Sequence, residues 1–352
     1  MRLVSPILKR VVYPSLSRCG YLRRLLPSAP AVVTYHGILP QGYELRDAAL
    51  DGHLVAANSF ARQINLLKKN YNLISPEQFL RWCEGELELP PRSVLLTCDD
   101  GLRNTLTDML PIIADAGVSF LFFVTGASVE EASSMLWYEQ MFLWLKTTSP
   151  QNISSLCESG CSKQMLQLNT LWFALIKRLS ALAWHSRNTA LADLRTRLGI
   201  SKDWAAEYSE NEALSRRFSM LNRQELKQLR QAGMTIGAHT MSHPMLSHMS
   251  REDALEELAR SRSVLEDALH EKVWSLAYPF GTCDAVSCRE EELARGAGFS
   301  CAFMNVEDSS ADSKHMFPRI HVSLTTSAAE LDAHVSGFHS AIRKLATSAV
   351  PA

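Results

Sequence analysis

Apolar and polar positions along the chain fall into two kinds of pattern: short unbroken hydrophobic runs, and longer stretches in which apolar residues recur every three or four positions. The short runs are rich in β-branched and aromatic residues and are bounded by Gly, Pro or polar clusters, which predicts buried strands. They are Ala31–Ile38 (AVVTYHGI), Ser93–Thr97, Val118–Val124, Met234–Ala238, Val273–Ala277, Cys301–Met304 and Arg319–Val322. Helical spacing predicts helices over Phe60–Asn70, from Ser75 onward, over Leu106–Ala116, from Asn222 to Gly233, from Ser250 to His270, through Glu290–Ala297 and, last, over Ala328–Leu345. Several carry helix punctuation. Ser75 precedes Pro76 and has Gln78 three residues on, Asn222 has Glu225, Ser250 has Asp253, and Gly117, Gly233 and Gly298 stand as stops.

Strand and helix thus alternate as βα units do, which implies a parallel sheet in an α/β barrel or open fold. The alternation stops between Ala127 and Met220, where the Leu- and Trp-rich helical stretches Leu136–Leu145 and Leu171–Trp184 follow one another without a strand. The expected organisation is a domain made of 31–126 and 221–345, split by a helical insertion at 127–220 and preceded by a basic segment at 1–30. The Trp and Leu stripes of the insertion read as its own core, since packing alone requires that spacing.

Composition narrows the classes. With 46% hydrophobic and 21% charged residues over 352 positions, the chain supports one substantial core or two modest ones, which excludes global disorder. Its formal net charge of −1 leaves no general basic field, so nucleic acid is not an expected partner. The eight cysteines form no CxxC pair and read as free thiols of a reducing compartment. Cys157 and Cys161, four apart, read as incidental rather than as a metal pair. Lys9, Arg10, Arg18, Arg23 and Arg24 break every apolar run near the start, so no secretory signal is read and the cytoplasm is the expected location. No acidic residue precedes Glu44. This basic stretch, interleaved with Leu, Val, Ile and Tyr, is expected to pack on the domain as a solvated arm, with peripheral contact to an anionic membrane as the alternative.

Three predicted strands end on metal-capable side chains: His36, the pair Asp99-Asp100, and His239 with His243. In a parallel α/β fold these tips share one face, where sites lie. His239 and His243 are four apart in HTMSH, a spacing at which one helical turn would aim both imidazoles at a common ion. Either motif alone is weak, because histidine pairs also serve cores and caps and Asp-Asp-Gly is an ordinary polar turn. Together, two histidines and one carboxylate with open positions suit zinc, with iron, cobalt or nickel also compatible. Adjacent carboxylates see different surroundings, so one can bind a metal while the other accepts a proton.

These segments resemble the motifs of the polysaccharide deacetylases, carbohydrate esterase family four, also called the NodB homology domain. Leu96-Thr97-Cys98-Asp99-Asp100-Gly101 is similar to T-F-D-D-G, His239-Thr240-Met241-Ser242-His243 to H-[ST]-x-x-H, and Tyr278-Pro279-Phe280-Gly281 to the P-[YF]-G turn, in the family's order. The insertion makes the separation of Asp100 from His239 longer than the family's usual one. The resemblance implies a distorted (β/α) barrel, one divalent metal on Asp100, His239 and His243, Asp99 as the general base, and the Phe280 backbone N–H as oxyanion donor within the turn. The implied substrate is an N-acetylhexosamine unit of a polysaccharide or its lipid-linked precursor, with Trp137 and Tyr138 as candidates for stacking on the sugar.

Two histidines compete to protonate the departing amine. His36 looks like the histidine of the Y-H segment that opens many members, and His321 sits where others carry an acid histidine after the final strand; His36 is favoured. The chain also departs from the pattern. Leu276-Ala277-Tyr278 lacks the arginine that many members place before the third motif's proline, and Arg319 is the candidate replacement, through a salt bridge to Asp99. Cys98 replaces the usual aromatic before the Asp pair and is not read as a nucleophile. Two other functions stay open, hydrolysis of a different linear amide and carbohydrate binding without catalysis, though retention of Asp99 argues against the second.

Overall fold

The computed structural model describes residues 5–25, 29–130, 135–156, 167–201, 208, 210–307 and 313–348. Its strands are β1 (Ala31–Tyr35), β2 (Ile38–Leu39), β3 (Val55–Ala56), β4 (Asn72–Leu73), β5 (Ser93–Cys98), β6 (Leu121–Val124), β7 (Thr235–Ala238), β8 (Ser275–Ala277), β9 (Cys301–Phe303) and β10 (Ile320–His321). The main sheet runs in the order β10-β1-β5-β6-β7-β8-β9 with parallel pairing throughout, β4 adds to β5, and β2 pairs with β3 apart from it. Lys314 and Phe317 exchange backbone hydrogen bonds with Ala302, and Arg319 N donates to Val306 O. The chain then continues into β10 beside β1, which links the two ends of the sheet into a distorted barrel.

Period-two alternation sorts the strand residues between two cores. Val33, Leu96, Phe122, Ile236, Leu276 and Ala302 pack outward under the surrounding helices, whereas Val32, Leu95, Phe123, Ala277, Cys301 and Phe303 fill the interior with Phe79. Because every strand of the main sheet points the same way, the residues after β1, β5, β7 and β8 all emerge on one side, together with His321 at the end of β10.

The observed elements are shorter than the hydrophobic runs that predict them. Ala31–Ile38 breaks at Gly37, φ 108°, and Ile38 joins the small second sheet. Over Leu106–Ala116 the helix is a π-turn, Thr105–Met109, followed by α-helix Leu110–Ala116. Pro111 explains this: it has no N–H for the carbonyl four residues back and its ring crowds that carbonyl, so the preceding turn widens. Similarly, Leu171–Trp184 divides into helices Leu168–Ser180 and Trp184–Arg197, and the terminal helix breaks at Gly337, φ 77°, into Ala328–Val335 and Phe338–Ser348. The capping boxes at Ser75 and Asn222 form as predicted, and a third forms at Ser287 with Glu290.

Helices Trp137–Thr147, Leu168–Ser180, Trp184–Arg197 and Glu212–Phe218 share an apolar cluster of Phe142, Trp144, Trp172, Leu191 and Phe218. Phe280, from the turn after β8, packs against it. At the start of the chain, helical residues 5–18 lie on Ala328–Val335, where Tyr13 and Leu22 are buried. Cys19, Cys83, Cys98, Cys283, Cys288 and Cys301 are free thiols, and Cys157 and Cys161 lie outside the described residues.

Candidate metal centre and active site

Asp99 and Asp100 follow directly on β5 and are 2% and 1% exposed. Asp100 takes a left-handed backbone, φ 73°, and the neighbouring carboxylates part there. Asp100 Oδ1 lies 3.4 Å from His239 Nε2 and 3.3 Å from His243 Nε2, and the two imidazole centroids are 4.8 Å apart. Neither Asp100 oxygen meets hydrogen-bond geometry with any described residue, although both are buried. Such a carboxylate is strongly destabilising unless a cation joins it. Burial would raise its pKa, but the two imidazoles outweigh burial and hold it well below the ordinary value. One ionised carboxylate and two imidazoles within 4.8 Å fit a divalent transition metal with open positions.

The imidazoles are held by backbone rather than by a helix. His239 Nδ1 is 2.8 Å from Ala277 O at the end of β8, which places a proton on Nδ1 and turns Nε2 toward Asp100. The HTMSH segment is a turn with Thr240 at φ 61° and His243 at φ 56°, so the helical turn drawn from the four-residue spacing is not what brings the rings together. The turn is pinned from outside. Ser242 N donates to Glu257 Oε2 at 2.9 Å, Arg187 donates to Ser242 Oγ, and Trp137 Nε1 donates to His243 O at 3.1 Å.

Asp99 faces a different partner. Arg319 Nη1 and Nη2 donate to its two oxygens at 2.7 and 2.6 Å, while Nε donates to Met304 O and Nη1 also reaches the Thr34 hydroxyl. Burial pushes the Asp99 carboxyl up, and the Arg319 charge, with His239 and the paired hydrogen bonds, brings it below its usual value. The expected salt bridge between Arg319 and Asp99 is thus present, while the residues just before Pro279 include no arginine.

His36 Nε2 is 3.9 Å from Asp99 Oδ2, and the His36 ring lies 5.0 Å from His321 and 5.6 Å from His53. His321 is exposed at the end of β10, with the His36 ring against one side. Desolvation there, then the neighbouring His36, depress its pKa far below that of free imidazole. His53 was not legible in the sequence. It comes from a polar loop and joins a buried network in which Arg217 pairs with Asp51 at 2.9 Å and Glu139 at 2.8 Å, with His53 Nε2 3.8 Å from Glu139. One arginine cannot offset two carboxylates, so burial, with Asp100 and Asp51 nearby, leaves Glu139 raised to about 7.

The turn after β8 divides its residues. Phe280 has φ 62°, its N–H has no acceptor among the described residues, and its ring is 5.1 Å from that of His243. Gly281 is required, since at φ 56° a Cβ would stand 2.4 Å from Asn305 N. Pro279 fixes the approach to these two. Tyr278, by contrast, is buried, and its hydroxyl donates to His315 O at 3.0 Å, so it anchors the turn and does not face a substrate. The expected stacking pair divides likewise. Trp137 is buried behind His243, while the Tyr138 ring lies 5.0 Å from His243 and 6.1 Å from Phe280 at the site itself. A second group, Glu307, His334 and His339, is already engaged: His334 meets Glu307 at 2.8 Å, Tyr13 meets His339 Nδ1 at 2.7 Å, and the two rings stack at 4.0 Å.

Residues 86–165 and 200–299, slightly more than half of the chain, match the family model described as polysaccharide deacetylase. This chain belongs to the polysaccharide deacetylase family. The matched segments carry Asp99, Asp100, His239, His243 and the Phe280 turn, whereas His36, His53, Arg319 and His321 fall outside them. No curated protein sequence matches the deacetylase. Among solved structures it is similar to IcaB from Ammonifex degensii, 18% identical with a TM-score of 0.55, covering 89% of this chain and 99% of that one. It is also similar to the Streptococcus pyogenes deacetylase PplD in complex with acetate, 17% identical with a TM-score of 0.54, covering 87% and 97%. The de-N-acetylase from Aggregatibacter actinomycetemcomitans matches at 12% identity and a TM-score of 0.53, over 86% and 98%. These likenesses show the NodB-type fold, and family membership makes the chain a hydrolase of N-acetyl amide bonds.

Proposed function

We propose that the deacetylase removes acetyl groups from N-acetylhexosamine units with the help of one divalent metal, zinc before iron, cobalt or nickel, held by Asp100, His239 and His243. The observation that carries this reading is the division of labour between adjacent carboxylates: Asp100 is buried without hydrogen-bond donors beside two imidazoles, and Asp99 is locked to Arg319. When bound, the ion supplies a Lewis acid that polarises the acetyl carbonyl and makes a water acidic enough to attack near neutral pH.

Asp99 takes the proton of the attacking water, and Arg319 keeps it ionised and oriented for that task. The Phe280 N–H, fixed by a left-handed turn, faces the developing oxyanion. His36 protonates the leaving amine. His321, held neutral by its surroundings, serves as a neighbour of His36 rather than as the acid. Tyr138 and Phe280 form an apolar wall beside His243 that suits the face of a pyranose ring. Residues 127–220 would then act as an insertion that narrows the cleft of the catalytic domain formed by 31–126 and 221–345, favouring a short or lipid-linked saccharide over an open polymer.

The test is acetate release from N-acetylglucosamine oligomers, with metal content measured on the same sample. Activity should vanish on chelation and return with zinc, and Asp99→Asn should retain metal while losing turnover. Full metal occupancy without acetate from any N-acetylated saccharide would overturn the reading.

A further inference from the structure

The helical segment 5–18 and the turn after it have two unlike sides. Inward, Tyr13 Oη lies 2.7 Å from His339 Nδ1, Tyr13 meets the Phe338 ring at 6.4 Å, Ser17 donates to Asp332 at 2.5 Å, and Lys9 pairs with Glu330 at 2.6 Å. Outward, Ile7, Val11 and Tyr21 are 60%, 58% and 45% exposed, and Arg10, Arg18, Arg23 and Arg24 are exposed around them. Ile7 and Val11 are four apart and so share one stripe of the helix. Among the described residues negative charge is absent from this side: no Asp or Glu precedes Glu44, Glu330 and Asp332 of the helix beneath are buried and paired inward, and Glu307 is paired with His334.

We propose that this face docks on an anionic lipid surface, with Ile7, Val11 and Tyr21 entering the headgroup boundary and the arginines lying among lipid phosphates. Apolar side chains ringed by like charge suit a bilayer, which offers hydrocarbon and negative headgroups together. A second copy of the chain fits poorly, since a two-fold contact through the same patch would bring arginines against arginines. A nucleic acid would meet the charge but leave the apolar stripe in water. The contact needs no catalysis, so it stands or falls separately from the reaction proposed above.

Sedimentation with phosphatidylcholine vesicles, with and without phosphatidylglycerol and at low and high salt, tests it. The protein should pellet only with the anionic vesicles and be released by salt. Ile7→Glu with Val11→Glu, and separately Arg10→Gln with Arg18→Gln, should each lower partitioning about tenfold, while circular dichroism and acetate release stay unchanged. Equal pelleting with neutral vesicles, no pelleting with anionic ones, or undiminished binding by both variants would overturn the proposal. So would a dimer in solution that Ile7→Glu with Val11→Glu dissociates, which would make the face a self-interface.

Discussion

Arg319 reaches Asp99 from 220 positions later in the chain, with two short hydrogen bonds and almost no exposure. Its removal leaves a buried carboxylate with only His239 and His36 to oppose desolvation. Arg319→Met should therefore raise the Asp99 pKa and move the acid limb of the kcat/KM profile to higher pH, which acetate release across pH measures. The sign for stability follows from the same shift. A depressed folded-state pKa stabilises the fold above the unfolded carboxylate value, and that stabilisation fades as pH falls through the folded value. Arg319→Met loses it, at a cost of about 3–5 kcal/mol visible in denaturant unfolding near neutral pH. The histidines give a second prediction. His36→Ala should lower kcat on the order of 10²–10⁴-fold and His321→Ala much less, in saturating turnover assays; the reverse order would pass the acid role to His321. Residues that sit in contiguous motifs, Asp99-Asp100 and His239 with His243, were legible because parallel strands bring their tips to one face and the motifs match the family's. His53, Asp51, Glu139 and Arg217 were not, since they come from three separate segments and only tertiary packing joins them. Trp137 misled for a related reason: adjacency to a motif does not say whether a polar atom is already bonded to backbone.

At the level of elements, the HTMSH turn shows where spacing falls short. A four-residue interval fits a helix, but here two left-handed residues fold it into a turn that neighbouring elements must brace. Glu257 braces it from helix Arg251–Leu269, and Trp137 and Arg187 brace it from helices of the 127–220 stretch. Those helices thus touch the backbone of a proposed metal ligand, which their apolar stripes gave no means to foresee. Trp137→Phe keeps the ring and deletes one donor to His243 O. It should preserve the circular dichroism spectrum while weakening metal affinity about tenfold, read by competition with a chelating dye. The π-turn at Thr105–Met109 and the shortened strands were likewise hidden by hydrophobic runs, because such runs report burial and not where backbone pairing stops.

For the whole molecule, the order of capped helices and apolar runs was enough to reach a parallel sheet, barrel or open, since βα repetition leaves few other arrangements, and the resemblance chose the barrel. Its closure was not readable, as it depends on the irregular stretch Lys314–Arg319 bonding beside β9. Metal should couple to global stability. An unpaired Asp100 burdens the metal-free fold, so zinc should raise the unfolding temperature and a chelator should lower it, by about 4 kcal/mol of linkage at a thousandfold excess over Kd. Calorimetry on the wild type and on Asp100→Asn checks this, with the variant expected to ignore the metal.

The register Val33 with Ile320 and Thr34 with His321 ties the first strand of the main sheet to the last. Arg319 arrives with that strand, so during translation Asp99 waits without its cation until residue 319 has left the ribosome. Pairing so remote in sequence is slow to form. A chain cut before β10 thus carries both aspartates and both turn histidines but lacks the cation that pairs with Asp99 through two hydrogen bonds.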